Sequence, residues 1–114
     1  MSDSILTSVK QKMGLSEGIE SFDAEIIMLI NAELATLNQL GIGPEEGLQI
    51  EGKEETWSLL YTSPKLNFIP SYIALRVWPA FDPTLSHSFV ESIRSKAEEL
   101  EWRLNVAQEW LTEE

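Results

Sequence analysis

The sequence contains no cysteine and a single histidine. Without cysteine, disulfide bonds, thiolate metal ligands and thiol nucleophiles are excluded. His87 has a serine on each side and Asp82 nearby, whereas a catalytic base or a metal site needs several acidic or histidine partners at workable spacing. We therefore interpret His87 as an exposed residue in the first turn of a helix, and we expect no enzyme activity, no metal and no cofactor.

Basic residues are also scarce, with 8 Lys and Arg against 19 Asp and Glu and a formal net charge of −11. Such a surface repels phosphate backbones and anionic headgroups, which disfavours sequence-specific nucleic-acid binding and membrane docking. The most apolar run, Ile26–Ile30, is too short to span a membrane. Met1–Met13 lacks the basic start and apolar run of a signal peptide. We expect a protein that works inside a cell or in a particle assembled there.

What the sequence does contain is enough for one folded domain over residues 1–114. Its hydrophobic share of 43% is ordinary for a globular chain. Four tryptophans are many for so small a domain, and we expect some of them to contact a neighbouring molecule.

Two amphipathic helices are predicted in the first part of the chain. The first is capped by Ser2 or Asp3 and ends at Gly14. The second is capped by Ser21 and ends at Gly41. Its broad apolar arc is typical of a central helix packed by several neighbours.

An acidic, glycine-rich loop is predicted over residues 42–55. Its glycines and its proline break any helix, and Leu48–Ile50 alternates as a short extended piece would. The loop carries five carboxylates: Glu45, Glu46, Glu51, Glu54 and Glu55. A loop this long in a small domain is more often functional or mobile than idle. The sequence leaves open whether it is ordered.

A single turn capped by Thr56 is expected next, followed by a third helix. Asn67 is the predicted cap of that helix, because Pro70 then falls in the first turn, where no intrahelical N–H is missed. Pro79 is expected to kink or end the helix.

The last helix has the clearest pattern and is predicted over Phe89–Leu111, about 34 Å at the standard rise. Ser88 and Glu91 have the spacing of a capping box. The core-facing stripe comprises Phe89, Ile93, Ala97, Leu100, Leu104, Ala107 and Leu111. The predicted fold is thus all-α, a small bundle of about four helices with a long C-terminal helix and an acidic loop in the middle.

Trp102, Val106 and Trp110 form a second apolar stripe on the last helix, roughly opposite the first. A helix on the surface of a small monomer should be polar on that side. Two interpretations remain open: the first helix or the acidic loop covers these side chains, or they form a subunit interface, where tryptophan is enriched.

Several segments, taken in order and spacing, resemble the small head–tail connector proteins (adaptors, head-completion proteins) of tailed bacteriophages and prophages. They follow a first helix that ends in Met13-Gly14, and they are Phe22–Ile27, Leu37–Pro44, Phe81–Pro83 and Leu100–Asn105. The resemblance implies a helical, non-catalytic subunit of a ring beneath the portal protein, dodecameric in the virion and monomeric before docking. It also implies that this ring extends the DNA channel, receives the next neck or tail-completion protein, and assembles in the bacterial host cytoplasm. The sequence departs from the family at Pro70 and Pro79, which fall in a segment the family tends to make one helix.

Negative charge suits a channel through which DNA must slide, because it does not grip phosphates. We therefore expect either the acidic loop or the ridge of Glu98, Glu101 and Glu109 to face the channel. The alternative interpretation is a small acidic module that mimics DNA or regulates another protein. A mimic needs carboxylates spaced like phosphates and no self-association, whereas a connector needs apolar patches for its neighbours.

Overall fold

The computed structural model describes the backbone of residues 3–112 and the side chains of residues 3–107. It confirms the all-α fold. Two single-turn 3-10 helices, η1 and η2, lie between the second and third α-helices. The elements are α1 (Ile5–Lys12), α2 (Asp23–Gln39), η1 (Trp57–Leu59), η2 (Pro64–Leu66), α3 (Ile69–Phe81) and α4 (His87–Thr112). Residues 3–112 form no strand, and a single β-bridge joins Ser4 to Thr56.

The centre of the bundle is α3. The sequence analysis predicted the second helix, α2, for that position. Helix α3 packs against α1, α2 and α4. Arg76 is its only charged residue in 13, so nearly every side of α3 can be covered by apolar neighbours. Its buried residues are Ile69, Tyr72, Ile73, Ala74 and Val77. By contrast, α2 packs mainly on α1 and α3.

The helices start one or two residues away from the predicted caps. In α1 the hydroxyl of Ser4, rather than Ser2 or Asp3, accepts the N–H of Thr7 at 3.2 Å. In α4 the hydroxyl of Ser86 accepts the N–H of Phe89 at 3.2 Å. The capping box predicted from Ser88 is therefore wrong, since the helix has already begun at His87.

The predicted caps of α2 and α3 are also wrong. Phe22, not Ser21, stands at the N-cap of α2, and its ring packs edge-to-face on Phe81 with centroids 5.4 Å apart. Asn67 instead closes η2 as its C-cap, and Phe68 stands at the N-cap of α3 without a side-chain capping bond.

Pro79 does not end α3 at once. The helix continues to Phe81, and the N–H of Asp82 closes the last turn on the carbonyl of Trp78 at 2.9 Å. Pro70 lies in the first turn, as predicted, because its missing N–H costs no hydrogen bond there.

The side chain of Lys10 fastens α1 to the linker before α2. It is only 2% exposed, yet its ammonium lies 2.7 Å from the carboxylate of Asp23 in the first turn of α2. The same ammonium donates to the backbone carbonyls of Glu17 and Ile19. A buried cation is tolerated only when it is paired and hydrogen-bonded in this way, so Lys10 fixes the course of the whole linker.

Replacing Lys10 by methionine should lower the free energy of unfolding by about 3 kcal/mol, because the partly buried Asp23 loses its cation and two carbonyls lose their donor. Chemical denaturation measures the change. Lys12→Met is the matched control, because the side chain of Lys12 lies two residues further along and is exposed. This variant should leave the free energy of unfolding nearly unchanged. An equal loss in both variants would contradict the structural role of the Lys10 pair.

Candidate assembly surfaces

The inner face of α4 is the predicted core stripe. Its buried members are Ile93, Ala97, Leu100, Leu104 and Ala107. Phe89 departs from the pattern, since it is 40% exposed at the start of the helix and packs edge-to-face on Trp78 at 5.2 Å. The side chain of Leu111 lies outside the described residues.

The outer face of α4 carries Trp102, whose side chain is 67% exposed. Neither α1 nor the acidic loop covers it, so the first of the two interpretations fails for this residue. Val106 is half-buried. The side chain of Trp110, the third member of the predicted stripe, lies outside the described residues.

Trp102 and Val106 line a shallow apolar groove of about 360 Å³ between α4 and the segment around η2. We call it the Trp102 groove, and its lining residues are Lys65, Phe68, Trp102, Arg103, Val106 and Ala107. The guanidinium of Arg103 also binds Glu99 at 3.1 Å, the i,i+4 pair typical of an exposed helix face. The groove thus joins an exposed indole to two basic side chains on an otherwise acidic protein.

The acidic loop over residues 42–55 is held against the bundle. The side chain of Asn31 on α2 makes two bonds to the backbone of Ile50, accepting its N–H at 2.8 Å and donating to its carbonyl at 3.1 Å. Ile42 and Ile50 are buried, and the carbonyl of Glu55 accepts the N–H of Ile5 at 2.9 Å. Gly43 has φ +94°, a left-handed backbone conformation that favours glycine at this turn.

The carboxylates of the loop fall into two kinds. Four are exposed: Glu45, Glu46, Glu51 and Glu54. Glu55 instead accepts the backbone N–H groups of Glu51 and Gly52, at 2.9 and 3.4 Å. Burial works to raise the pKa of Glu55, but these backbone bonds outweigh it and leave the pKa below its usual value. Glu55 is therefore a structural anchor of the loop.

The predicted acidic ridge on α4 also contains both an exposed carboxylate and one that makes a structural hydrogen bond. Glu98 is exposed, and the side chain of Glu109 lies outside the described residues. Glu101 accepts the phenolic O–H of the buried Tyr72 at 3.2 Å. Burial, with the negative charge of Glu101 beside it, raises the pKa of Tyr72 to about 12. Glu101 thus satisfies the one polar atom that Tyr72 brings into the core.

One surface was not predicted from the sequence. The outer side of α2 presents three alanines and a methionine, all exposed, which we call the alanine face: Ala24, Met28, Ala32 and Ala35. Met28 is 70% exposed, the largest value among the large hydrophobic side chains of residues 3–107. The signal in the sequence was the absence of charge at these four positions, which recur at helical spacing opposite the apolar arc.

The described residues offer little chemistry. His87 is exposed at the first position of α4. Among the side chains described, no group of three acidic, histidine or cysteine residues has a geometry that could hold a metal ion. Within residues 3–112, no helix combines the length and the apolar character needed to cross a membrane. What the surface does offer is exposed apolar area on two helices, which suits contact with other proteins.

A family model described as phage connector protein matches residues 5–110. The chain belongs to this family. The resemblance seen in the sequence is therefore confirmed, and a role in the phage connector, a component of the virion neck, follows from membership. No curated protein and no solved structure matches the chain.

In this phage connector protein, replacing Asn31 by alanine should release the acidic loop, because the buried backbone groups of Ile50 lose both partners. We expect a loss of about 1–3 kcal/mol in the free energy of unfolding and faster exchange of the Ile50 amide. Denaturant titration and hydrogen exchange measure the two effects. Gln49→Ala, at the exposed neighbouring position, should change neither.

The raised pKa of Tyr72 makes stability depend on alkaline pH. The neutral phenol stabilises the fold fully below about pH 10, and that contribution is lost as the pH rises through 10 towards 12. The wild type should therefore lose up to about 2 kcal/mol more than Tyr72→Phe over this interval. Denaturation at stepped pH measures the difference. Equal pH dependence in both proteins would contradict the burial of the phenol beside Glu101.

Proposed function

We propose that the chain is a structural subunit of the head–tail connector ring, which docks beneath the portal protein, extends the DNA channel and joins the head to the tail. The observation that carries this proposal is the family match, which spans residues 5–110 of a chain of 114. The exposed Trp102 groove supports the part of the proposal that concerns self-association.

A ring is built by head-to-tail contacts, so each subunit needs a surface that its neighbour covers. Trp102 supplies exposed area for such a contact. A tryptophan carries about 150–250 Å² of surface, and covering the exposed two-thirds is worth roughly 3 kcal/mol before the costs of association. That is the size of an interface hot spot. Val106 extends the same contact along the helix, and Trp110 is the third residue that the sequence predicts for it.

The DNA channel is lined by carboxylates that the fold leaves exposed. The supporting observation is that the loop is ordered and still presents Glu45, Glu46, Glu51 and Glu54 to solvent. Glu98 on α4 is the second source of charge. Glu55 and Glu101 contribute negative potential from positions fixed by their hydrogen bonds to the loop backbone and to Tyr72. A negative lumen lets the phosphate backbone pass without binding it.

The partners that follow are the portal protein on one side of the ring and the next neck or tail-completion protein on the other. The subunit is made in the bacterial cytoplasm and ends in the virion neck.

The distribution of charge supports DNA mimicry less well than it supports the connector proposal. Four carboxylates among the described side chains are already paired within the chain: Asp23 with Lys10, Glu33 with Arg76, Glu91 with Arg94, and Glu99 with Lys96 and Arg103. A mimic needs a continuous row of free carboxylates, and an exposed tryptophan has no use in one.

Replacing Trp102 by glutamate tests the proposal. With the portal protein of the same phage, the variant should fail to form the ring, because a charge at the centre of the contact would be buried unpaired. Native mass spectrometry or light scattering measures the assembly, and circular dichroism should show unchanged helix content. Trp110→Glu should behave in the same way.

Leu59→Glu is the matched control, because Leu59 is 51% exposed on η1 and does not line the Trp102 groove, so this variant should still assemble. Unfolding of the Trp102→Glu monomer would show that the indole belongs to the core. A wild-type chain that does not bind the portal at all, but binds a nuclease or polymerase tightly, would overturn the connector proposal itself.

A further inference from the structure

A ring subunit needs two different adhesive surfaces, one for each neighbour, and the Trp102 groove is only one of them. We propose that the second is the alanine face of α2, and that it receives Trp102 of the adjacent copy of this chain. This inference rests on the ring proposed above, and it names the contact between adjacent subunits that would close the ring.

The alanine face is unusual for the outside of a helix. The exposed side of a surface helix is normally charged or polar, and this protein is 24% charged. Over three turns of α2, however, the centre of that side carries only Ala24, Met28, Ala32 and Ala35. Alanines let a partner approach the helix backbone closely, and the flexible thioether of Met28 adapts to an aromatic ring. Such a surface suits a large flat side chain.

Met28 and Trp102 are also the two most exposed large hydrophobic side chains among residues 3–107, at 70% and 67%. They lie on separate helices, α2 and α4, each of which packs its inner face on α3. One copy can therefore use both surfaces at once, with no change of fold, and each contact leaves a further surface open for the next copy. This is the requirement for a head-to-tail assembly.

Charge favours this pairing over a contact between two alanine faces. The charged residues of α2 are all acidic, and two of them are already bound, Asp23 to Lys10 and Glu33 to Arg76. Glu25 is exposed beside the alanine face and has no basic partner among the described residues.

The Trp102 groove is lined by Lys65 and by Arg103, which also binds Glu99 on its own helix. Two alanine faces would bring acidic residues together, whereas the face of one copy opposite the groove of the next brings Glu25 to these basic side chains. In a subunit of net charge −11, such a contact also offsets the general repulsion between copies.

The absence of cysteine makes cross-linking a direct test. Cysteine is introduced at Ala32, on the alanine face, and at Asn105, which is exposed one helical turn beyond Trp102. The chain is assembled on the portal protein and treated with a short bis-maleimide. The double variant Ala32→Cys/Asn105→Cys should give a ladder of covalent dimers, trimers and larger species under denaturing conditions. Each single variant should remain monomeric.

The control pair is Ala32→Cys/Ser92→Cys, because Ser92 is exposed on the same helix but about 15 Å from Trp102 along its axis. It should yield about tenfold less ladder. Dimers from Ala32→Cys alone would show that two alanine faces meet, and dimers from Asn105→Cys alone would show that two grooves meet; either result overturns the inference. A ring that assembles but gives no ladder would overturn this contact and leave the connector proposal intact. A wild-type chain that does not assemble on the portal protein would overturn both the contact and the connector proposal.

A charge reversal gives an independent readout. Glu25→Lys and Arg103→Glu should each weaken assembly by about tenfold, and the double variant should recover most of it, because the attractive pair is restored with its signs exchanged. Light scattering of the portal complex measures the affinity. Losses that simply add in the double variant would contradict a contact between these two surfaces.

Discussion

The structure depends on the burial of α3. A 13-residue helix with one charge cannot be left in water, and it is stable only when other helices enclose it. Two polar side chains of α3 bind to residues of the surrounding helices, Tyr72 to Glu101 of α4 and Arg76 to Glu33 of α2. Each enclosing helix gives its apolar face to α3, so the opposite faces of α2 and α4 remain available for other molecules. The assembly surfaces are thus a consequence of how the core is built.

The elements themselves could be predicted from the sequence, because periodicity and helix breakers are local signals. The core stripe from Ile93 to Ala107 follows directly from spacings of three and four residues. The starts of the helices could not be fixed in the same way. Serines at 86 and 88 compete for one cap, and the choice is made by tertiary packing. The central position of α3 was also missed, since the apolar arc of α2 is wide but the small, uncharged residues on its outer side are exposed.

In the candidate site, too, only the features set by local sequence could be predicted. Trp102 could be placed outside the core because its angle on the helix is set by the backbone alone. The role of Glu55 could not, because its bonds to the amides of Glu51 and Gly52 form in an irregular turn that has no helical periodicity. The role of Glu101 could not either, because its partner is a phenol 29 residues away that only the folded chain brings near. The order of the acidic loop is likewise non-local, since Asn31 reaches Ile50 across 19 residues.

That fastening of the loop has a consequence for the thermodynamics of assembly. Ordering a flexible backbone costs about 1–2 kcal/mol of conformational entropy per residue. In this chain the cost for residues 42–55 is met during folding of the monomer, through Asn31, the buried isoleucines and the bond from Ile5 to Glu55. A subunit that reaches its neighbours with its loop already shaped loses little freedom on binding, so weak contacts between modest surfaces suffice to hold many copies together.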